Sequence, residues 1–125
     1  MKAMEDIQAD DPSAVRRLRQ LMRDCALRRD LGRSVAEGPR LIKEALEAGR
    51  ALALWATPQA LMSSPGRDLS AEALRRGLSV RSLPAALFDK LSGTRSPQGC
   101  LCEVETKPLP FRPDADLFLA LDTLQ

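Results

Sequence analysis

Two stretches of this 125-residue chain carry side chains suited to chemistry, and in both that chemistry is anion binding. Between Arg16 and Arg33 stand seven arginines, Arg16, Arg17, Arg19, Arg23, Arg28, Arg29 and Arg33, against two acids, Asp24 and Asp30. The local charge of +5 exceeds the +2 of the whole chain. A guanidinium presents a planar fork that can donate two parallel hydrogen bonds to a phosphate. The second stretch is Glu37–Gly49, E-G-P-R-L-I-K-E-A-L-E-A-G. It reads as a strand end, a glycine turn and a short helix. Pro39 suits the first helical position, where its missing N–H is no loss. A helix start leaves unpaired N–H groups and a partial positive charge. With Arg40 and Lys43 beside it, that end could hold a phosphate. Each stretch also has a plainer reading. The arginines would be a solvated face paired with acids elsewhere, and the second stretch an ordinary amphipathic core helix.

Other chemistries lack their residues. The chain has no histidine, so the commonest general base and the commonest zinc ligand are missing. The cysteines are Cys25, Cys100 and Cys102. An odd number with no secretory signal pattern suits reduced thiols in the cytoplasm. Cys100 and Cys102 form C-x-C on an expected strand and are assigned to opposite faces, as core or surface thiols rather than metal ligands. No apolar run approaches the roughly 20 residues of a membrane span.

These residues must be positioned by a folded scaffold, and the composition supplies one. It is 44% hydrophobic and 29% charged, in the globular range. Only 3% is aromatic, so aliphatic side chains must fill the core. The spacing of Val15, Leu18, Leu21, Met22, Cys25 and Ala26 predicts one helix from Ser13 to Arg29. Gly32 ends it. A strand is expected at Arg33–Glu37. In the helix after Gly38, the residues Leu41, Ile42, Ala45 and Leu46 are expected to share the buried face, with Gly49 as its left-handed terminator. Ala51–Ala56, A-L-A-L-W-A, is apolar enough for a strand covered on both faces. A helical turn at Pro58–Met62, a loop at Ser63–Gly66, and a helix capped by Asp68 or Ser70 and ending at Gly77 follow. Then come a strand at Leu78–Leu83, a helix holding Leu87, Phe88 and Leu91, a polar loop at Ser92–Gly99, and a strand at Cys100–Val104. Alternating helices and strands predict an α/β domain with helices on both sides of a central sheet.

The C-terminal residues differ. Lys107–Pro113, K-P-L-P-F-R-P, holds three prolines in seven residues and reads as an extended linker. Asp116–Asp122, D-L-F-L-A-L-D, suits a buried strand with no following partner. The expectation is a second domain that begins at about residue 115 and is cut off.

Three motifs in order, V-A-E-G-P-R-L-I-K-E-A-L at Val35–Leu46, F-D-K-L-S-G-T-R-S-P-Q-G at Phe88–Gly99 and L-A-L-D-T-L-Q at Leu119–Gln125, resemble the SpoU, or TrmH-like, RNA ribose 2'-O-methyltransferases. The resemblance implies that residues 1–105 are the family's substrate-binding domain, 106–114 a proline-rich linker and 115–125 the first strand of the catalytic domain. It implies a three-layer α/β/α sandwich similar to the ribosomal and kink-turn-binding RNA proteins. In those relatives RNA is gripped at the turn after the first strand, which matches Glu37, Gly38, Arg40 and Lys43. A second gripping loop precedes the last strand and matches Thr94, Arg95 and Gln98. The alternative for that loop is domain packing, with Pro97 and Gly99 shaping the chain. Arg16, Arg17, Arg19 and Arg23 add the basic face. The implied partner is structured RNA, ribosomal or transfer, with no membrane. The implied parent uses S-adenosylmethionine and dimerises through its catalytic domain, while this chain alone binds no cofactor and catalyses nothing. The alternatives are a free-standing RNA-binding module and a protein-contact domain whose arginines face acidic protein.

Overall fold

The N-terminal helical segment is divided at Asp24. In the computed structural model, which describes residues 12–92 and 98–106, helix α1 spans Pro12–Arg23 and helix α2 spans Cys25–Leu31. Asp24 is extended (φ −113°, ψ 102°), and its carboxylate accepts the Leu27 N–H at 3.0 Å. Aspartate competes well for a helix start because its short side chain satisfies an otherwise orphaned donor. The expected single helix to Arg29 is therefore two. The break also removes Cys25 and Ala26 from the apolar stripe, and both are exposed. Gly32, left-handed at φ 65°, closes α2 as expected.

Strand β1 (Arg33–Glu37) follows, then α3 (Pro39–Glu47), β2 (Ala51–Ala56), a one-turn α4 (Pro58–Leu61), α5 (Gly66–Arg75), β3 (Ser79–Ser82), α6 (Ala85–Leu91) and β4 (Cys100–Glu105). The strands form one sheet in the order β1-β4-β2-β3. β4 runs antiparallel to both β1 and β2, and β2 runs parallel to β3. So β1, β2 and β3 all point one way. Helix α5 starts two residues before the expected Asp68 cap, and Asp68 instead accepts a 2.6 Å hydrogen bond from Ser64 Oγ.

Successive strand residues face opposite sides of a sheet, and the core divides accordingly. On one side Val15, Leu18, Trp55, Phe88, Leu91 and Leu101 pack together, joining α1 and α6 to the sheet. On the other side Ile42, Leu46, Leu54, Leu69, Val80, Cys100 and Cys102 join α3, α4 and α5 to it. The protein is a mixed α/β domain. β2 is covered on both faces, as its apolar run requires, with Leu54 on one side and Trp55 on the other.

Two sequence expectations are corrected. Cys100 and Cys102 share a face, since residues two apart on a strand point the same way. Burial pushes their thiols up to about 11 and about 12 respectively. Leu41 is 51% exposed, while Ile42 and Leu46 carry the α3 contact. The proline-rich stretch at 107–113 and the apolar run at 116–122 lie outside the described residues.

Candidate nucleic-acid interface

The parallel direction of β1, β2 and β3 brings their carboxyl ends to one rim of the sheet. The chain leaves that rim into α3 at Gly38, into α4 at Thr57 and into α6 at Pro84, and it returns through Gln98–Gly99 into β4. Crevices outside the carboxyl ends of strands are where open α/β sheets commonly take ligands.

Gly38 makes the first of these turns. Its φ of 99° is one that L-residues rarely adopt, although a Cβ added there would meet only open space. Its N–H reaches the Cys100 carbonyl at 3.3 Å, tying the turn to the start of β4. No side chain caps α3, and Pro39 has no N–H, so the Arg40 and Leu41 N–H groups stand at the helix start without a cap. The Arg40 and Lys43 side chains are exposed and have no ion-pair partner among the described residues. The α3 dipole adds partial positive charge at the same point.

The returning segment is held by backbone. Thr57 N–H donates to the Gly99 carbonyl at 2.9 Å, and Thr57 Oγ1 accepts the Ala60 N–H at 3.2 Å. A side chain on Gly99 would place its Cβ 2.8 Å from Thr57 Oγ1 and 3.0 Å from the Ala60 Cβ, at a φ of 78°. Gly99 therefore shapes the chain, as the packing alternative for this loop holds. Gln98 is exposed beside it. Thr94, Arg95 and Pro97 lie outside the described residues.

Glu37, Gly38, Arg40 and Gln98 thus line one groove of about 370 Å³, together with Pro39, Leu41 and Glu44. Arg40 and Gln98 also border a groove of about 650 Å³ that reaches Thr57, Phe88 and Asp89. A third, again about 650 Å³, runs between α3 and α5 past Arg40, Lys43 and Arg76. Arg40 stands where all three meet. Within the third groove, Arg76 Nε lies 2.6 Å from Glu72 Oε1, and Arg75 pairs with the other oxygen. Hydrogen bonds from Arg76 and then Arg75 hold the Glu72 carboxyl below its ordinary range. Those two arginines have a carboxylate of their own. The Glu37 carboxylate accepts from Ser92 Oγ, linking the end of β1 to the end of α6.

The basic helix lies elsewhere. Because α1 packs on the Trp55 side of the sheet and α3 on the Leu54 side, Arg16, Arg17, Arg19 and Arg23 are not brought together with Arg40 and Lys43. Nor are the α1 arginines equivalent to one another. Arg17 Nη2 lies 3.5 Å from the buried Glu103 carboxylate, and Arg33 Nη1 lies 3.9 Å from it. Arg28 donates to the Leu21 carbonyl at 2.7 Å, satisfying the end of α1. Arg16, Arg19 and Arg23 have no ion-pair partner among the described residues.

Sequence reasoning passed over Thr57 and Glu103. Thr57 before Pro58 is a legible helix start, and a lone acid inside C-L-C-E-V was a legible anomaly.

A domain model described as the MRM3-like substrate binding domain matches residues 13–102. The chain belongs to that family. Solved structures share its fold. An AdoMet-bound rRNA methyltransferase from Sinorhizobium meliloti is 20% identical over 84% of this chain, with a TM-score of 0.65, and 39% of it is covered. An RNA 2'-O ribose methyltransferase is 22% identical over 89% of this chain, with a TM-score of 0.64 and 43% of its own length covered. The SpoU methyltransferase AviRb from Streptomyces viridochromogenes, in complex with AdoMet, is 20% identical over 79%, with a TM-score of 0.61 and 39% covered. The domain therefore spans less than half the length of these SpoU- and RNA-methyltransferase structures. No protein of curated function matches the chain.

Proposed function

We propose that this chain is the RNA-gripping domain of an S-adenosylmethionine-dependent ribose 2'-O-methyltransferase acting on ribosomal or transfer RNA. The observation that carries the reading is the rim itself, where Gly38, Arg40 and Gln98 meet beside an uncapped helix start in a domain of a substrate-binding family. The chemistry required of such a domain is to hold a polyanion and orient one ribose. Guanidinium and ammonium groups take the phosphates, and backbone N–H groups at α3 add directional donors. The Gln98 amide can both donate and accept, which suits a 2'-hydroxyl or a base edge. Glu37 accepts only, so its contacts are with donors such as Ser92.

S-adenosylmethionine would supply the methyl group. No described residue is assigned to it. In this reading residues 1–105 bind RNA, 106–114 link, 115–125 open the catalytic domain that also dimerises, and the whole works in the cytoplasm.

The test is RNA binding by the 125-residue chain across a salt series. If roughly four phosphates are neutralised, the log–log slope should be near −3, at about −0.7 to −0.9 for each. A fourfold rise in salt would then weaken binding on the order of a hundredfold. Replacing Arg40 and Lys43 together by Ala should flatten that slope by about 1.4 to 1.8 while leaving the urea midpoint unchanged. Equal affinity and slope in the double variant would remove the rim from contention.

A further inference from the structure

Glu103 is the one buried charged residue among the described residues, 1% exposed on an inner strand. It opposes Val35 on one neighbour and Ala53 on the other, and it shares a sheet face with Leu101, beneath α1. Its Oε2 takes both cations, Arg17 from α1 and Arg33 from the start of β1, while Oε1 has no hydrogen-bond partner among the described residues. A buried ion pair is seldom better for stability than an apolar side chain of similar size. Stability alone therefore does not account for a carboxylate here. What an ion pair adds is orientation.

The geometry of α1 shows which orientation is at stake. Ala14, Val15, Leu18 and Leu21 form the buried stripe. At about 100° per residue, Arg16, Arg19 and Arg23 fall within an arc of about 60° on the side away from it. Arg17 lies about 100° from Arg16, on the opposite flank of the stripe. It is 48% exposed and turned toward Glu103. Arg17 and Arg33 thus turn to Glu103, whereas Arg16 and Arg23 are exposed and the half-buried Arg19 lies beside Val15 and Leu87.

We propose that Glu103 is a positioning residue: clasped by Arg17 and Arg33, it fixes the rotation of α1 so that Arg16, Arg19 and Arg23 form one phosphate-facing row. This rests on the reading of the chain as an RNA-binding domain, and it removes Arg17 from the RNA contacts.

Two variants and two readouts test it. Glu103→Gln adds one to the net charge, which by long-range attraction alone would tighten binding to RNA. Positioning requires the reverse: affinity three- to tenfold weaker, with amide exchange in α1 about tenfold faster and α3 unchanged. Arg17→Met, at a half-exposed site, should also speed α1 exchange and should leave the salt slope unaltered, and Arg17→Lys should restore the protection. Arg16→Ala with Arg19→Ala should lower the slope by about 1.4 to 1.8. RNA binding by Glu103→Gln as tight as the parent or tighter, unchanged α1 exchange, or a slope loss of about 0.7 to 0.9 in Arg17→Met would each overturn the positioning role. An unchanged slope in the Arg16/Arg19 variant, with α1 exchange responding as expected, would instead sink the RNA reading of this face and the row with it.

Discussion

The α1 face and the Gly38 rim are both basic, but they are built in different ways. α1 carries more charge, and part of the basic charge on that side serves the fold: Arg17 of α1 and Arg33 of β1 meet Glu103, and Arg28 of α2 closes the end of α1. The rim carries less charge, but its cations stand beside backbone donors, a glycine turn and a groove. Charge counted along a sequence is therefore a poor measure of a binding surface. The number of cations left without internal partners, and the donors next to them, measure it better.

The difference in construction can be pressed experimentally. α1 is attached by burial, so Leu18→Ala, at a site with no exposure, should cost about 2–5 kcal/mol of stability in urea unfolding. The rim is held by close backbone approach instead. Gly99→Ala should cost about 1–3 kcal/mol through strain at positive φ and contact with Thr57. A cost below about 1 kcal/mol for Leu18→Ala would mean that α1 is not held as its packing indicates.

A second comparison concerns independence. The two cationic sets sit on opposite faces of the sheet, so combining the Arg16/Arg19 and Arg40/Lys43 alanine variants should change RNA binding free energy by the sum of their separate effects, within about 0.5 kcal/mol. A shortfall well beyond that would show that both sets grip the same phosphates.

The smallest effect is chemical. Cys25 lies on the surface of α2, whereas Cys100 and Cys102 are sealed under α3 and α5. At pH 8 one thiol per chain should react quickly with a disulfide reagent, and the other two only on unfolding. The buried thiols keep protons to about 11 and 12 that an unfolded chain releases near the ordinary value of 9. Their contribution to stability is complete below pH 9 and is lost as pH rises through 11 to 12. Three fast thiols at pH 8 would contradict the packing of β4.

Much of the scaffold was legible in the sequence because the signals are local. Gly38-Pro39 announces a helix start, Gly49 its end, and A-L-A-L-W-A a strand covered on both sides. The division at Asp24 was missed because the apolar spacing continues through it, while a single capping side chain decides the backbone. Leu41 was misplaced because a run of adjacent apolar residues fits more than one helical face, and only the packing partner selects it. At the site, the cluster of Glu37, Gly38, Arg40 and Gln98 was legible through motifs. The separation of α1 from it was not. Periodicity tells which side of a helix is buried, but it carries no information about which side of the sheet the helix covers. The pairing of Arg17 and Arg33 with Glu103 joins residues far apart in the chain, and nothing local marks it.

The place of β4 has a consequence for synthesis. It is the fourth described strand in sequence, yet it lies between the first two, bonded to both. A nascent chain leaving the ribosome can pair β2 with β3 early, but among the described strands β1 has no neighbour until Glu105 has cleared the exit tunnel. Until then β1 keeps open edges on a partly collapsed chain, a state exposed to aggregation. Among the described strands, the last in sequence is thus the one that joins the two halves of the rim.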